Sequence, residues 1–89
     1  PWISKCKLDG ALVQDLPTRE SERRKARAVV GIAAGLRLRV GAADVATPEQ
    51  FAAAAEVGCT EAQGAGCADW LKPDAFAHWL EARRARSAI

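Results

Sequence analysis

Few side chains in this sequence have types and positions that could do chemistry. Lys7 and Asp9 bracket the end of a short candidate strand, Asp44 sits among small residues in V-G-A-A-D-V-A, and Gln63 precedes a glycine. Three cysteines, Cys6, Cys59 and Cys67, and one histidine, His78, complete the set. An aspartate can serve as a catalytic acid, and cysteine with histidine can hold a metal. The cysteines form no C-x-x-C pair, however, and no metal-ligand spacing joins them to His78, so no metal site is expected. They read as small buried thiols suited to a reducing cytoplasm, with a Cys59–Cys67 disulfide as the alternative. Taken locally, Lys7 is an exposed strand-end lysine, Asp9 before Gly10 is a turn-forming side chain, and His78, between Ala77 and Trp79, belongs on a helix surface.

The elements that position these residues follow from periodicity and punctuation. Ser4 to Leu8 is a short candidate strand closed by Asp9-Gly10, and Ala11, Leu12, Val13 and Leu16 make one helical turn before Pro17. Thr18 to Leu36 is the clearest helix, with Ala26, Val29, Val30 and Ala33 on one face, Thr18 as its cap and Gly35 as its left-handed terminator. Leu38 to Gln50 reads as a buried strand running into a capped helix, with Ala43 and Ala46 on the turn between them. Thr47-Pro48-Glu49-Gln50 is a capping box: Thr47 caps, Pro48 fits the first helical position and Gln50 reaches back to the cap amide. That helix runs to about Val57, burying Phe51, Ala54 and Ala55, and Gly58 ends it. Thr60 to Gln63 is a third short strand, Gly64-Ala65-Gly66 a loop, and Pro73 opens a last helix with Phe76, Trp79, Leu80 and Arg83 on one side.

Strand, helix, strand, helix, strand, helix is an α/β order that implies parallel strands joined by right-handed crossovers. Three such strands leave two unpaired edges and one uncovered face, so the fold calls for the rest of a sheet. The 89 residues form one small domain's length of ordinary apolar and charged content, with a net charge of +2 that argues for no nucleic-acid polymer. The basic clusters Arg19 to Arg27 and Arg83 to Arg86 are interleaved with glutamate and read as solvated helix faces, the alternative being a phosphate or partner surface. No apolar run is long enough to span a membrane, because Ala26 to Leu36 is broken by Arg27 and Gly31. A start at Pro1 and the absence of methionine mark the chain as a piece of something longer.

At this point the residues resemble a known family. Lys7-Leu8-Asp9, Val13 to Leu16, the helix ending at Gly35-Leu36, V-G-A-A-D-V-A-T-P-E-Q-F, Gly58 to Gly64 and Phe76 to Leu80 are similar, in order, to the last third of the EAL domain. The tripeptide K-L-D alone is uninformative, and the ordered run carries the resemblance. It implies the sixth to eighth strand-helix units of a (β/α)8 barrel that hydrolyses cyclic di-GMP with divalent metal ions, and it spans residues 1–89 as a partial domain. In such barrels the chemistry sits on the turns after the strands.

The resemblance implies that Lys7 and Gln63 face the ligand, Lys7 beside the attacked phosphate, where a fixed positive charge stabilises developing negative charge. It also implies that Ala43 stands where the family has a glutamate of the acidic set around the metal-bound water. Ala46 replaces a second acid, Asp44 replaces a small glycine, and Asp69-Trp70 replaces a basic residue and a proline. An acid at Asp44 could take over from the lost glutamate only if the strand shifted locally by one residue. The expected function is therefore a degenerate module that binds or regulates in bacterial cyclic di-GMP signalling. The alternatives are an active phosphodiesterase needing Mg or Mn, and a protein-interaction scaffold without ligand. Its partners would be the remainder of the barrel or a second copy, with Trp2 and Trp70 packing the barrel rim or a partner.

Overall fold

A computed structural model describes residues 5–67 and 69–87, the last two by their backbone. Ser4 and Trp2, to which the sequence assigns a strand start and a rim contact, lie outside the described residues, as does the side chain of Arg86. The elements are β1 (Lys5–Leu8), α1 (Gly10–Asp15), α2 (Glu20–Gly35), β2 (Arg39–Val45), α3 (Pro48–Val57), β3 (Glu61–Gly64) and α4 (Pro73–Ser87). The strands form one sheet in the order β1-β2-β3, and both pairings are parallel. Each strand is followed by helix, so the expected α/β order holds.

The helices lie on one face of this sheet. Leu8, Val40, Ala42, Val45 and Ala62 are buried from the strand side, and Val13, Leu16, Ala26, Ala54, Phe76 and Leu80 meet them from the helices. At ~25 cal/mol per Å² of apolar surface removed from water, this layer is what holds the piece together. Phe76, fully buried, stacks on Phe51 with ring centroids 4.6 Å apart and meets Trp79 at 5.4 Å. Trp79 lies against Gly64, where a side chain on the strand would collide with its ring. Ala55, expected in the core, is exposed, and Ala53 and Val57 are buried in its stead.

Helix ends are set partly by side chains next in sequence and partly by tertiary partners. Asp9 caps α1, its carboxylate accepting the Ala11 N–H at 3.1 Å, as a turn-forming side chain should. Thr47 caps α3 by accepting the Gln50 N–H at 3.1 Å, but the Gln50 side chain reaches past the cap amide to the Ala46 N–H at 2.8 Å. Thr18 does not cap α2; Arg19 holds that position without a side-chain bond. Nor does Gly35 provide the left-handed residue. The helix continues through it, and Arg37 takes φ 58° while the Leu38 N–H donates to the Ala33 carbonyl at 2.9 Å and the Arg37 N–H to that of Ala34 at 3.1 Å. This is a Schellman ending, which places the left-handed residue two positions later than glycine alone suggests.

Three of the basic residues of α2 pair with acids. Arg23 meets Glu20 at 2.7 Å, Lys25 meets Glu22 at 3.0 Å, and Arg27 reaches Glu56 on α3 at 3.2 Å. Hydrogen bonding and charge from Arg23 hold the Glu20 carboxyl below its usual range. These are solvated pairs on helix faces. Among the described residues no helix is long and apolar enough to cross a membrane.

Candidate ligand-binding site

The other face of the sheet carries polar side chains. In a parallel ladder, residues in register point the same way, and the register sets Lys5 beside Arg39, Lys7 beside Gly41 and Gly41 beside Glu61. Gln63, two residues beyond Glu61, shares that face. Lys7 and Gln63 therefore both lie on the face opposite the helices, toward the C-terminal ends of parallel strands. Lys7 is exposed and Gln63 half-buried. The two ligand-facing positions named from the sequence are brought to one side and one end.

Ala43 is not where the sequence puts it. It lies inside β2, which extends to Val45, rather than on a turn after it. The core positions of this strand run Val40, Ala42 and then Val45, a break in the period of two. The register shows why: Ala42 pairs with Ala62 and Val45 with Gly64, three residues on β2 against two on β3. That is a bulge, one extra residue that changes the phase of the strand. Ala43 is 3 % exposed, yet it stands outside the cluster that packs against the helices. Ala46 follows the strand and is exposed.

The bulge is made by Asp44, whose φ of 54° lies in the left-handed region. Glycine takes that conformation without penalty and aspartate at modest cost. The strand thus contains the one-residue shift that a replacement acid would need, but the side chain goes elsewhere. The Asp44 Oδ2 and Cβ lie 2.9 and 3.1 Å from where a Cβ on Gly10 would stand. Its carboxylate is directed over the start of α1, where it shares a shallow surface cleft with Asp9, Gln14 and Gln50.

From the row of Lys7 downward the same face holds a charged cluster that sequence reading did not assemble. Glu61 is nearly buried and faces Lys5 at 3.1 Å and Arg39 at 3.9 Å. The contact with Lys5 is an ion pair whose geometry is off-line for a hydrogen bond, so Oε1 is held by charge alone. Lys5 in turn sits over the indole of Trp70, 4.1 Å from the ring centroid. The alternation Lys5, Lys7 and Glu61, Gln63 was a signal that these four share a face; the reach of Trp70 had none.

The thiols do not join this site. All three cysteines are free, so the disulfide alternative is not formed. Burial, reinforced by the neighbouring Cys6 thiol, pushes Cys59 up to about 11. His78 is exposed on α4. Among the described residues no three His, Cys, Asp or Glu side chains converge to hold a metal. A lysine, an amide and one ion-paired glutamate do not make a divalent-metal site. What they can do is hold an anion at Lys7 and offer Gln63 for orientation.

The family model for the EAL domain matches residues 3–69. The chain belongs to the EAL domain family. No curated protein matches the sequence. Among solved structures, the PaMucR phosphodiesterase in complex with c-di-GMP is similar at 22% identity and TM-score 0.64, over 82% of this chain and 30% of that one. The EAL domain of Mycobacterium smegmatis DcpA is similar at 23% identity and TM-score 0.66, over 88% of this chain and 35% of that one. The EAL enzyme Bd1971 in its cGMP-bound form follows at 17% identity and TM-score 0.67, over 88% of this chain and 21% of that one. At such identities the likeness concerns the fold: the EAL chain described here has the architecture of a portion of these proteins. It spans about a third or less of their lengths. The expected membership and the parallel α/β barrel portion are thereby established.

Proposed function

We propose that this chain is the closing portion of a degenerate EAL module that binds cyclic di-GMP, or regulates in response to it, without hydrolysing it. The observation that carries this reading is Ala43. It is buried on the ligand-facing side of β2, where the resemblance puts a catalytic glutamate, and among the described residues no other acid takes its place. Loss of a group that orients or deprotonates a nucleophilic water removes positioning and base catalysis together. Lys7 and Gln63 remain on the same face, so contacts to a phosphate and a ligand edge are kept while the acid is lost.

The module would act in the bacterial cytoplasm, completed by the strands that precede these three in a barrel. Support for the ligand comes from the family and from PaMucR, whose structure is a c-di-GMP complex. The reading in which Asp44 restores activity is opposed by the direction of its side chain toward Gly10. The test is to supply the natural polypeptide carrying these residues with Mg or Mn and cyclic di-GMP. Binding heat without linear product is the expected result, and turnover at the rate of a working enzyme would refute it. Absence of any heat would leave the scaffold reading.

A further inference from the structure

Trp70 stands on the ligand-facing side of the sheet, beside Gly41 and Lys5. Its place is fixed from three directions. The neighbouring Leu71 exchanges both backbone bonds with Ala62, at 2.9 and 2.8 Å, which straps the segment along the outer edge of β3. The benzo ring lies against Gly41 so closely that a Cβ there would stand 2.5 Å from Cζ3 and 2.9 Å from Cε3. The Lys5 ammonium, itself held by Glu61, sits over the indole. Gly41 is the register partner of both Lys7 and Glu61, and Ala43 and Gln63 come two residues later on their strands. The indole therefore fills the row that contains Lys7 and lies directly beneath the row of Ala43 and Gln63.

We propose that Trp70 is the floor of the ligand cavity, a residue that sets its depth and gives a purine base of a cyclic dinucleotide an aromatic surface while Lys7 takes the phosphate. The inference rests on the reading that this face binds such a ligand. Glu61 and Lys5 are positioning residues for the floor: the ion pair keeps the ammonium over the ring, and the absent side chain of Gly41 leaves the ring its place. An aromatic surface beside a lysine suits a base joined to a phosphate, because stacking tolerates any purine and the charge answers the anion.

The test uses the natural polypeptide carrying these residues, with cyclic di-GMP as the probe in calorimetry. Stacking of one base supports an expected weakening of about tenfold or more in Trp70→Ala, with Trp70→Phe staying within about threefold. A second measurement needs no disruptive variant: the emission lost in Trp70→Phe belongs to Trp70, and added ligand should shield it from iodide in the wild type. Trp70→Ala binding as tightly as wild type, or iodide reaching Trp70 equally with and without ligand, overturns the floor and leaves the ligand reading standing. No heat from the wild type overturns both.

Discussion

Gly41→Ala is the change that most directly interrogates the inner face. In an ordinary strand the substitution favours the folded state, because alanine surrenders less backbone freedom than glycine, an advantage of about 0.5–1 kcal/mol. Here the new Cβ would stand 2.5 Å from Cζ3 of Trp70 and 3.1 Å from Cη2. The indole must lift, and it cannot lift without disturbing the Lys5 ammonium 4.1 Å from its centroid. Overpacking of this kind costs about 1–3 kcal/mol, and a displaced cation over a partly exposed ring adds about 0.5–1 kcal/mol.

The net expectation for Gly41→Ala in the wild-type background is a loss of about 1–3 kcal/mol, measured by urea unfolding monitored through far-ultraviolet circular dichroism. In a Trp70→Ala background the same substitution should be neutral or favourable by up to about 1 kcal/mol, since nothing remains to collide with. The coupling between the two changes is thus about 1–4 kcal/mol, which a double-mutant cycle isolates. If Gly41→Ala costs the same with and without the indole, within about 0.5 kcal/mol, Trp70 does not lie on Gly41 and the account of the inner face fails.

Other expectations follow from the ends of elements and from the thiol. Arg37→Gly should stabilise the chain by about 0.5–1 kcal/mol, because Arg37 bears a left-handed φ of 58° at the end of α2; a fall in the urea midpoint would contradict this. Thr47→Ala should cost about 1 kcal/mol through loss of the bond from the Gln50 N–H, again read as a shift in the urea midpoint. Cys59 titrates near 11 when folded against a usual 9.0, so the folded state keeps a proton that the unfolded chain releases first. Its contribution is intact below pH 9 and is lost as pH rises from 9 to 11. Urea midpoints should decline across that window in the wild type and less so in Cys59→Ala, and native Cys59 should react with iodoacetamide more slowly than in the unfolded chain.

What the sequence revealed and what it concealed divide along physical lines. Thr47-Pro48 and Gly58 act through bonds within a few residues, and each was legible as a cap. The faces of α2 and α4 were legible because a period of 3.6 survives any tertiary context. Arg37 was not, since a Schellman ending depends on where the last carbonyls find partners, and that is settled by Leu38 packing beneath the sheet. Trp70 was undecided for a related reason: its partners, Gly41 and Lys5, are distant in sequence, and a glycine announces only that something could come close.

The bulge at Asp44 shows why fold and chemistry must be argued separately in this chain. A strand of strict period two would have sent Asp44 into the helix layer, where a lone carboxylate is costly to bury. The extra residue returns Val45 to the core and leaves Ala43 and Asp44 outside it, so the scaffold accommodates a charged residue at this point of β2. The same kink that protects the core turns the carboxylate toward Gly10. An acid in the neighbouring position of the sequence is therefore no substitute for one at Ala43, because what a catalytic group requires is a direction, and the backbone at Asp44 has already committed that direction to α1.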